Sequence, residues 1–464
     1  MEEPSRRIST QIFTGIAATI SLINTGYHFG WSSPSLPKLQ SPDSDIHLTS
    51  GEGAWVSSIF KFGAMISPLL VTLVVKKIGR KWLLLSSAIP QIASGILLVS
   101  AQGYWWLMAA RFIGGIGSGT SNLATALYIG EIADDKIRGG LGAIIGQMSN
   151  LGILLAYCVG PWVSRVALGG VGILIPVVFL LTFFWMPESP YYLLMNDRVE
   201  QATKSLQWLR GTKNVKSEVE KIKAGIEYDL QNAAHIKDLI LVPGNRMALI
   251  IINGVVLTQQ LSGITAILTY SGTIFEAAGS SLDSSISIVI VGVVQVLSGI
   301  VCIFTVDLAG RKLLLLISTA GSAFFAMGVA LYFQLKSSGV DVSSIYWLPL
   351  ASMIGFIIIY TMGLGIIPGV VLSELFPYNL KAAAGMTVVT IGGLGGLAVT
   401  KLYQVVADAF GIQTAFWGFA GITACFFVFI LFFVPETKRK SLQEIQEELH
   451  RSTESTTALE KSGF

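Results

Sequence analysis

Twelve apolar stretches run through the chain, and each is long enough to cross a membrane as an α-helix. A spanning helix needs about 20 apolar residues, because each residue rises about 1.5 Å and the hydrocarbon layer is about 30 Å thick. The predicted spans cover residues 11–30, 54–75, 82–102, 105–129, 140–163, 166–186, 247–275, 285–306, 313–335, 346–372, 382–408 and 412–434. The sequence therefore predicts an all-α integral membrane protein with twelve transmembrane helices in two six-helix halves.

Composition supports this class, because 52% of the residues are hydrophobic and only 13% are charged. A soluble domain of ordinary make-up carries about 25% charged residues. We expect five regions, which are an N-terminal segment over residues 1–10, a six-helix bundle over 11–186, a loop with short helices over 187–246, a second bundle over 247–434 and a tail over 435–464.

Basic residues collect on one side of the predicted helices. Lys76 and Lys77 follow the second helix, Arg311 and Lys312 follow the eighth, and both termini fall on the same side. Because cytoplasmic loops carry an excess of Lys and Arg, this side is expected to be cytoplasmic. We therefore expect a multi-pass protein of the plasma membrane with both termini in the cytoplasm.

The two halves repeat the same charged motifs at matching places. A glycine turn with two bases follows the second helix of each half, a glutamate and then a base follow the fourth helix, and Pro-Glu follows the sixth. The charged members are Arg80, Glu131, Arg138 and Glu188 in the first half, and Arg311, Glu374, Lys381 and Glu436 in the second. We expect each arginine to pair with the glutamates of its own half. Such a repeat predicts a duplicated transporter scaffold in which one half rocks against the other.

The stretch from Thr258 to Tyr270 places a polar cluster inside an apolar segment. At about 3.6 residues per turn, Thr258, Ser262, Thr265 and Thr269 share one helical face, with Gln259 beside it. Amides and hydroxyls both donate and accept hydrogen bonds, which suits a neutral, hydroxyl-rich solute. The alternative is that these groups join membrane helices to one another.

From Thr14 to Leu442 the chain resembles the sugar porter branch of the major facilitator superfamily. The resemblance depends on Gly-Arg-Lys in both halves, Pro187-Glu-Ser-Pro190, Gln259-Gln-Leu-Ser-Gly263 and Pro435-Glu-Thr-Lys438. It implies alternating access for a monosaccharide or disaccharide without ATP, and an inner gate that is closed by the charged repeat. The stretch Gly30–Pro34 and Thr400-Lys401 are most similar to the facilitated trehalose transporter-like proteins.

The resemblance also implies which side chains contact the sugar. The glutamines of the seventh helix are Gln259 and Gln260, the family's following asparagine is Thr265 here, and a polar position in the eighth helix is Gln295. In the fifth helix the usual glutamine position holds Gly146. The implied substrate-binding set, with Thr269 from the polar face, is Gln259, Gln260, Thr265, Gln295, Gln147, Asn150 and Thr269. For Gln295, Gln147 and Asn150, a helix-packing amide is the competing interpretation.

The tenth helix departs from the family pattern. The aromatic residue expected to stack on a sugar is replaced by Gly369, and a second aromatic position in the eleventh helix is Gly393. These changes remove stacking surface and leave room for a larger ligand. The remaining Gly and Pro residues still allow a broken, mobile helix. The expected substrate is trehalose or a hexose such as glucose.

Energy coupling leaves several alternatives open. Proton-coupled members carry an aspartate in the first helix, whereas this chain has Gly26-Tyr27-His28 there, so facilitative transport is favoured. Proton coupling through His28 and a non-transporting sugar receptor are the alternatives. Lys61, Arg111 and Lys401 lie within predicted spans, and intramembrane bases are candidates for an anionic-solute site. Helix pairing and snorkelling are the competing explanation for these bases.

No feature of the sequence indicates an enzyme, a metal site or a cofactor. The cysteines Cys158, Cys302 and Cys425 lie in apolar surroundings without metal-ligand spacing. Neither a nucleophile-base set nor a phosphate-binding loop is visible. The expected partners are a sugar and the lipid bilayer, with no nucleic acid, and we expect a monomeric carrier.

Overall fold

The computed structural model describes residues 8–134, 137–231, 237–279, 282–376, 378–438, 440 and 444–445. Within these ranges the regular elements are α-helices and two short 3-10 turns, Gly160–Trp162 and Ser343–Ile345. The chain forms two compact units. One comprises residues 1–231 with 268–273, and the other comprises residues 232–267 with 274–464.

The first unit contains eleven helices among its described residues. They are α1 Ile8–Gly30, α2 Ser32–Gln40, α3 Ser50–Ile78, α4 Arg80–Ser86, α5 Ala88–Val99, α6 Tyr104–Ile132, α7 Arg138–Val159, α8 Arg165–Phe183, α9 Pro190–Met195, α10 Val199–Arg210 and α11 Lys216–Gln231. Helix α1 packs on α7, α3 on α6, and α5 on α8. The short helix α2 lies between the first two predicted spans.

Helices of the first unit approach each other backbone to backbone at glycines. A Cβ added at Gly26 of α1 would lie 1.8 Å from the Ser149 carbonyl oxygen of α7. A Cβ at Gly63 of α3 would lie 2.2 Å from the Phe112 carbonyl oxygen of α6. Small residues at membrane helix contacts allow this close packing. The α1–α7 and α3–α6 contacts therefore require that Gly26 and Gly63 carry no side chain.

Helices α9 to α11 pack against one another in a small cluster outside the predicted membrane spans. Tyr192, Leu206 and Val219 are buried together in its core. The Arg210 guanidinium donates to the Glu218 carboxylate at 2.7 Å and to the Ile132 carbonyl at 2.9 Å. Since Ile132 ends α6, this contact ties the cluster to the end of a membrane helix.

The second unit contains nine helices among its described residues. They are α12 Asp238–Leu241, α13 Pro243–Leu261, α14 Ile264–Ala278 apart from residues 268–273, α15 Ser284–Ala309, α16 Arg311–Ser337, α17 Leu348–Met362, α18 Ile367–Leu375, α19 Tyr378–Phe410 and α20 Ile412–Phe433. Glycines here approach aromatic rings. A Cβ at Gly254 would lie 2.3 Å from Phe429, and a Cβ at Gly355 would lie 2.3 Å from Phe325.

The seventh membrane helix is interrupted at Gly263, between α13 and α14. Gly263 has a φ of 93°, which L side chains rarely adopt, and a Cβ there would lie 2.5 Å from the Phe419 ring. The continuous polar face expected from Thr258 to Thr269 is therefore wrong, because the break changes the helical register. The Thr258 and Ser262 hydroxyls donate instead to the carbonyls of Gly254 and Gln259.

The tenth membrane helix is also broken, which its Gly and Pro residues allow. Helix α17 ends at Met362 and α18 begins at Ile367. In the intervening turn the Leu364 N–H donates to the Ser318 hydroxyl at 3.0 Å, and the Leu364 carbonyl accepts from the Gln259 amide at 2.7 Å. Side chains of two neighbouring helices therefore satisfy backbone groups that the break exposes.

Ten segments of the described chain are long and apolar enough to cross a membrane. The other two spanning helices are α1 and α6, with 23 and 29 residues. Both are more polar because they bury groups within the unit, such as Asn24 and His28 on α1 and Arg111 on α6. The predicted twelve-helix membrane fold is confirmed.

Candidate functional site

The amides at the break of the seventh helix form a hydrogen-bonded row in the second unit. The Thr265 hydroxyl donates to Gln260 Oε1 at 2.9 Å, and Gln260 Nε2 donates to Gln259 Oε1 at 3.3 Å. Gln259 Nε2 in turn donates to the Leu364 carbonyl at 2.7 Å. The row joins the two broken helices, and Gln260 retains an amide hydrogen that these bonds do not use.

The other predicted substrate residues lie on further elements of the two units. Gln295 is buried on α15 of the second unit, whereas Gln147 and Asn150 are half-buried on α7 of the first unit. Thr269 is buried in the segment Leu268–Thr273, which groups with the first unit. Sequence reasoning missed Leu364, because its role depends on where the tenth helix unwinds.

The Leu268–Thr273 segment is held by hydrogen bonds within the first unit. The Tyr157 hydroxyl donates to the Leu268 carbonyl at 2.6 Å, and the Gly272 N–H donates to the Ser33 hydroxyl at 3.1 Å. A Cβ at Gly272 would lie 2.3 Å from the Ser33 carbonyl oxygen. The close approach of two backbones requires glycine here.

A charged cluster at one end of the first unit joins three helix ends. Arg80 Nε donates to Glu131 Oε1 at 2.9 Å, and the Ser189 hydroxyl also donates to the Glu131 carboxylate. Glu188 accepts from the backbone N–H groups of Arg80 and Lys81 at 3.0 and 2.9 Å. These groups start α4, so Glu188 lies where the helix dipole favours an anion. The sequence indicated Glu188 only as a further acceptor for arginine.

The second unit repeats the arrangement of this cluster with the equivalent residues. Arg311 donates to Glu374 through Nε at 3.1 Å, and its Nη2 lies 3.0 Å from the same oxygen. Glu436 accepts from the backbone N–H groups of Arg311 and Lys312 at 3.0 and 3.1 Å. The Thr437 hydroxyl donates to Glu374, as Ser189 does to Glu131. Duplication has therefore preserved both the ion pair and the helix cap.

Two further residues of the charged repeat have different surroundings. Lys381 begins α19 half-buried, and burial lowers the pKa of its amine while the nearby Glu374 carboxylate opposes this. The side chain of Arg138, which begins α7, lies outside the described part of the chain. For Glu436, burial raises the pKa of the carboxyl, but backbone N–H donors bring its pKa below the ordinary value. Glu436 is therefore ionised at neutral pH.

The buried Arg111 guanidinium connects three helix segments of the first unit. It donates to the His28 carbonyl at 2.6 Å, to the Ser32 hydroxyl at 3.2 Å and to the Val56 carbonyl at 3.4 Å. Its Cζ also lies 4.6 Å from the centroid of the Phe60 ring. These contacts give Arg111 a packing role between α1, α2 and α3.

The other two intramembrane bases are divided between the two units. Lys61 lies in the first unit, with Nζ 3.8 Å from the centroid of the Phe29 ring, whereas Lys401 lies on α19 of the second unit. The His28 ring stacks on Phe60, and among the described residues neither of its ring nitrogens has a hydrogen-bond partner. The described chain contains no group of three His, Cys, Asp or Glu residues that could hold a metal.

Comparison of sequences places this geometry in context. The family model described as "Sugar (and other) transporter" matches residues 13–449. The facilitated trehalose transporter Tret1 of Polypedilum vanderplanki is 32% identical over 445 residues, covering 95% of this chain and 88% of the relative. Tret1 of Bombyx mori is 33% identical over 446 residues, covering 95% and 87%.

Solved structures show the same fold. The proton:xylose symporter XylE bound to 6-bromo-6-deoxy-D-glucose has a TM-score of 0.77 at 23% identity, and the match covers 95% of this chain and 99% of that one. The inward open conformation of XylE from E. coli has a TM-score of 0.79 at 22% identity, with coverage of 94% and 99%.

Proposed function

Because the chain belongs to the sugar porter family of the major facilitator superfamily, we propose that it carries a sugar across a membrane by facilitated diffusion. The proposed substrate is trehalose or a hexose such as glucose, moved by alternating access. The observation that carries the proposal is the row of Gln259, Gln260 and Thr265 at the junction of two broken helices. Discontinuous membrane helices are where carriers of this kind bind their substrates.

The row supports a neutral, hydroxyl-rich substrate. Gln259 is engaged with the Leu364 backbone, so it positions the row, while Gln260 offers a remaining amide hydrogen to a ligand. Gln295, Thr269, Gln147 and Asn150 are proposed as further contacts. A sugar hydroxyl both donates and accepts, and therefore pairs with such amides without a charged partner.

Facilitated diffusion is proposed over proton coupling because α1 contains no Asp or Glu over Ile8–Gly30. The hydrogen-bond partners of Arg111 are two carbonyls and one hydroxyl, rather than a carboxylate whose protonation would break the contact. A proton-driven cycle needs a group whose charge changes between two states. The arrangement around Arg111 supplies fixed contacts instead.

We expect reconstituted protein to admit labelled trehalose or glucose into liposomes with no ion gradient, in a saturable manner. One lost hydrogen bond costs about 0.5–1.5 kcal/mol, so Gln260→Ala should raise KM by about 2- to 12-fold. Gln334→Ala is the matched control, since Gln334 is exposed on α16. Uptake that requires an imposed proton gradient would indicate a symporter. Folded protein that binds sugar without exchanging label would indicate a receptor.

The two arginine-glutamate clusters are proposed to stabilise the state that is closed at the cytoplasmic end. The proposed gating set is Arg80, Glu131, Arg138, Glu188, Arg311, Glu374, Lys381 and Glu436. The support is that each described pair is largely buried and shares a carboxylate with a hydroxyl from the following helix end. Interactions of this kind shift an equilibrium when they form in only one of two states.

Glu374→Ala should therefore favour the inward-open state. We would measure this as faster labelling of a cysteine introduced at Gly146, where an added side chain meets no atom within 4 Å. A membrane-impermeant maleimide would be applied from the cytoplasmic side. Glu200→Ala, which removes an exposed pair with Lys204 on α10, is the control and should leave the rate unchanged. An unchanged rate in Glu374→Ala would remove the gate assignment.

We propose that the carrier resides in the plasma membrane as a monomer with both termini in the cytoplasm. The support for this orientation is the excess of Lys and Arg on one side of the helices, which the positive-inside rule relates to the cytoplasm.

A further inference from the structure

A pocket of about 430 Å³, lined by both polar and apolar side chains, opens in the first unit, at the end of the helices away from Arg80 and Glu131. Its walls come from α2, from the loop that follows α2, and from the turn between α7 and α8. The polar side chains lining it include Lys38, Ser41, Asp43, Asp45, Ser164 and Arg165. Small-ligand sites in proteins enclose about 300–1,000 Å³, so this volume suits a small organic solute.

The two basic side chains of this pocket are used to hold its walls together. Lys38 Nζ donates to the Gly160 and Val163 carbonyls, both at 2.8 Å. Arg165 donates to the Leu98 carbonyl at 2.5 Å and to the Asp45 carboxylate at 2.9 Å. A hydrogen bond from Arg165 lowers the pKa of Asp45, so this pair is charged at neutral pH. Hydrogen bonds from Lys38 and Arg165 therefore stabilise the walls of the pocket.

The remaining lining decides the class of ligand. The carboxylates of Asp43 and Asp45 balance the two cations. A ligand of either charge would therefore be repelled by a group of the same sign in the pocket. Ca²⁺ takes about 6–8 oxygen ligands, which the two carboxylates, one paired with Arg165, do not supply. Carboxylates and serine hydroxyls instead accept and donate hydrogen bonds to hydroxyl groups.

We propose that this pocket is a second carbohydrate site, separate from the Gln259–Gln260 row, which takes a neutral mono- or disaccharide. The proposal rests on the sugar carrier function proposed above. The apolar lining residues Leu39, Val163 and Leu168 face the same pocket and suit the C–H surface of a sugar ring. The pocket would hold sugar at the surface of the first unit.

Protection of an introduced cysteine tests this site directly. Ser44 lines the pocket and is half-buried, so Ser44→Cys places a thiol at its edge. With sugar at about ten times its Kd, we expect labelling by an impermeant maleimide to slow by about tenfold. Ser338→Cys is the matched control, since Ser338 is exposed beyond α16 in the second unit. Its labelling should not change with sugar.

Two further variants separate this site from the carrier function. In a Gln260→Ala background, transport weakens but protection at Ser44→Cys should persist. Asp43→Asn should weaken the protection several-fold, while transport at saturating sugar continues. Protection that disappears with Gln260→Ala, or that is unaffected by Asp43→Asn, would overturn the second site and leave the carrier function in place. Protection without any transport would overturn the carrier function instead.

Discussion

Gly26→Ala is expected to prevent the first unit from packing correctly. The new Cβ would lie 1.8 Å from the Ser149 carbonyl oxygen, well inside van der Waals contact. Extra volume in a packed interior costs about 1–3 kcal/mol when side chains can adjust. Here the obstacle is the backbone of α7, so we expect a loss of about 3 kcal/mol or more. The midpoint of thermal unfolding and the yield of monodisperse protein would measure it.

Gly170→Ala is the matched control for this substitution. Gly170 also lies in a membrane helix of the first unit, on α8, but a Cβ there meets nothing within 4 Å. Alanine is a better helix former than glycine, so this variant should be neutral or slightly stabilised. Equal unfolding midpoints for the two alanine variants would show that the α1–α7 seam yields more than its geometry indicates.

Arg111→Lys is expected to destabilise the first unit and to lower transport by tenfold or more. The planar guanidinium reaches His28, Ser32 and Val56 at once, whereas a lysine ammonium on a flexible stem cannot span acceptors on three segments. A hydrogen bond to a charged group contributes about 1.5–3 kcal/mol. Losing two of them while the charge stays buried should cost about 3 kcal/mol or more. Thermal unfolding and sugar uptake would be measured together.

Lys61→Met controls for the loss of an ordinary buried base. Lys61 contacts the Phe29 ring through its ammonium, a contact that contributes about 0.5–2 kcal/mol. Methionine keeps much of the apolar volume, so its unfolding midpoint should fall less than that of Arg111→Lys. If Arg111→Lys matched the unchanged protein in both stability and uptake, the guanidinium would not be what joins α1, α2 and α3.

The membrane helices could be predicted from the sequence because the length and apolarity of a segment are local properties. These included α1 and α6, whose buried polar residues make them less apolar than the other spans. The Gly and Pro residues of the tenth helix were also recognised to allow a break there. The break at Gly263 was not predicted. It depends on a positive φ and on contact with the Phe419 ring, and neither can be inferred from the neighbouring residues in the sequence.

Fewer contacts of the candidate site could be predicted from the sequence. The repeat suggested that Arg80 and Glu131 would pair, and their atoms lie 2.9 Å apart. The role of Glu188 was not foreseen, because a carboxylate that accepts backbone N–H groups leaves no partner in the side-chain pattern. The same holds for Gln259, whose partner is the Leu364 carbonyl. Sequence patterns reveal side-chain chemistry, while the backbone groups that unwinding exposes become visible only in the fold.

The glycine contacts described above differ in mechanical stiffness, according to whether the glycine meets a backbone or an aromatic ring. At Gly26 and Gly63 one backbone touches another, and a helix cannot give way at such a seam without moving as a whole. At Gly254 and Gly355 the neighbour is a phenylalanine ring, which yields by tilting about its own bonds. The seams at Gly26 and Gly63 are therefore rigid, whereas the contacts at Gly254 and Gly355 can absorb small displacements of their helices.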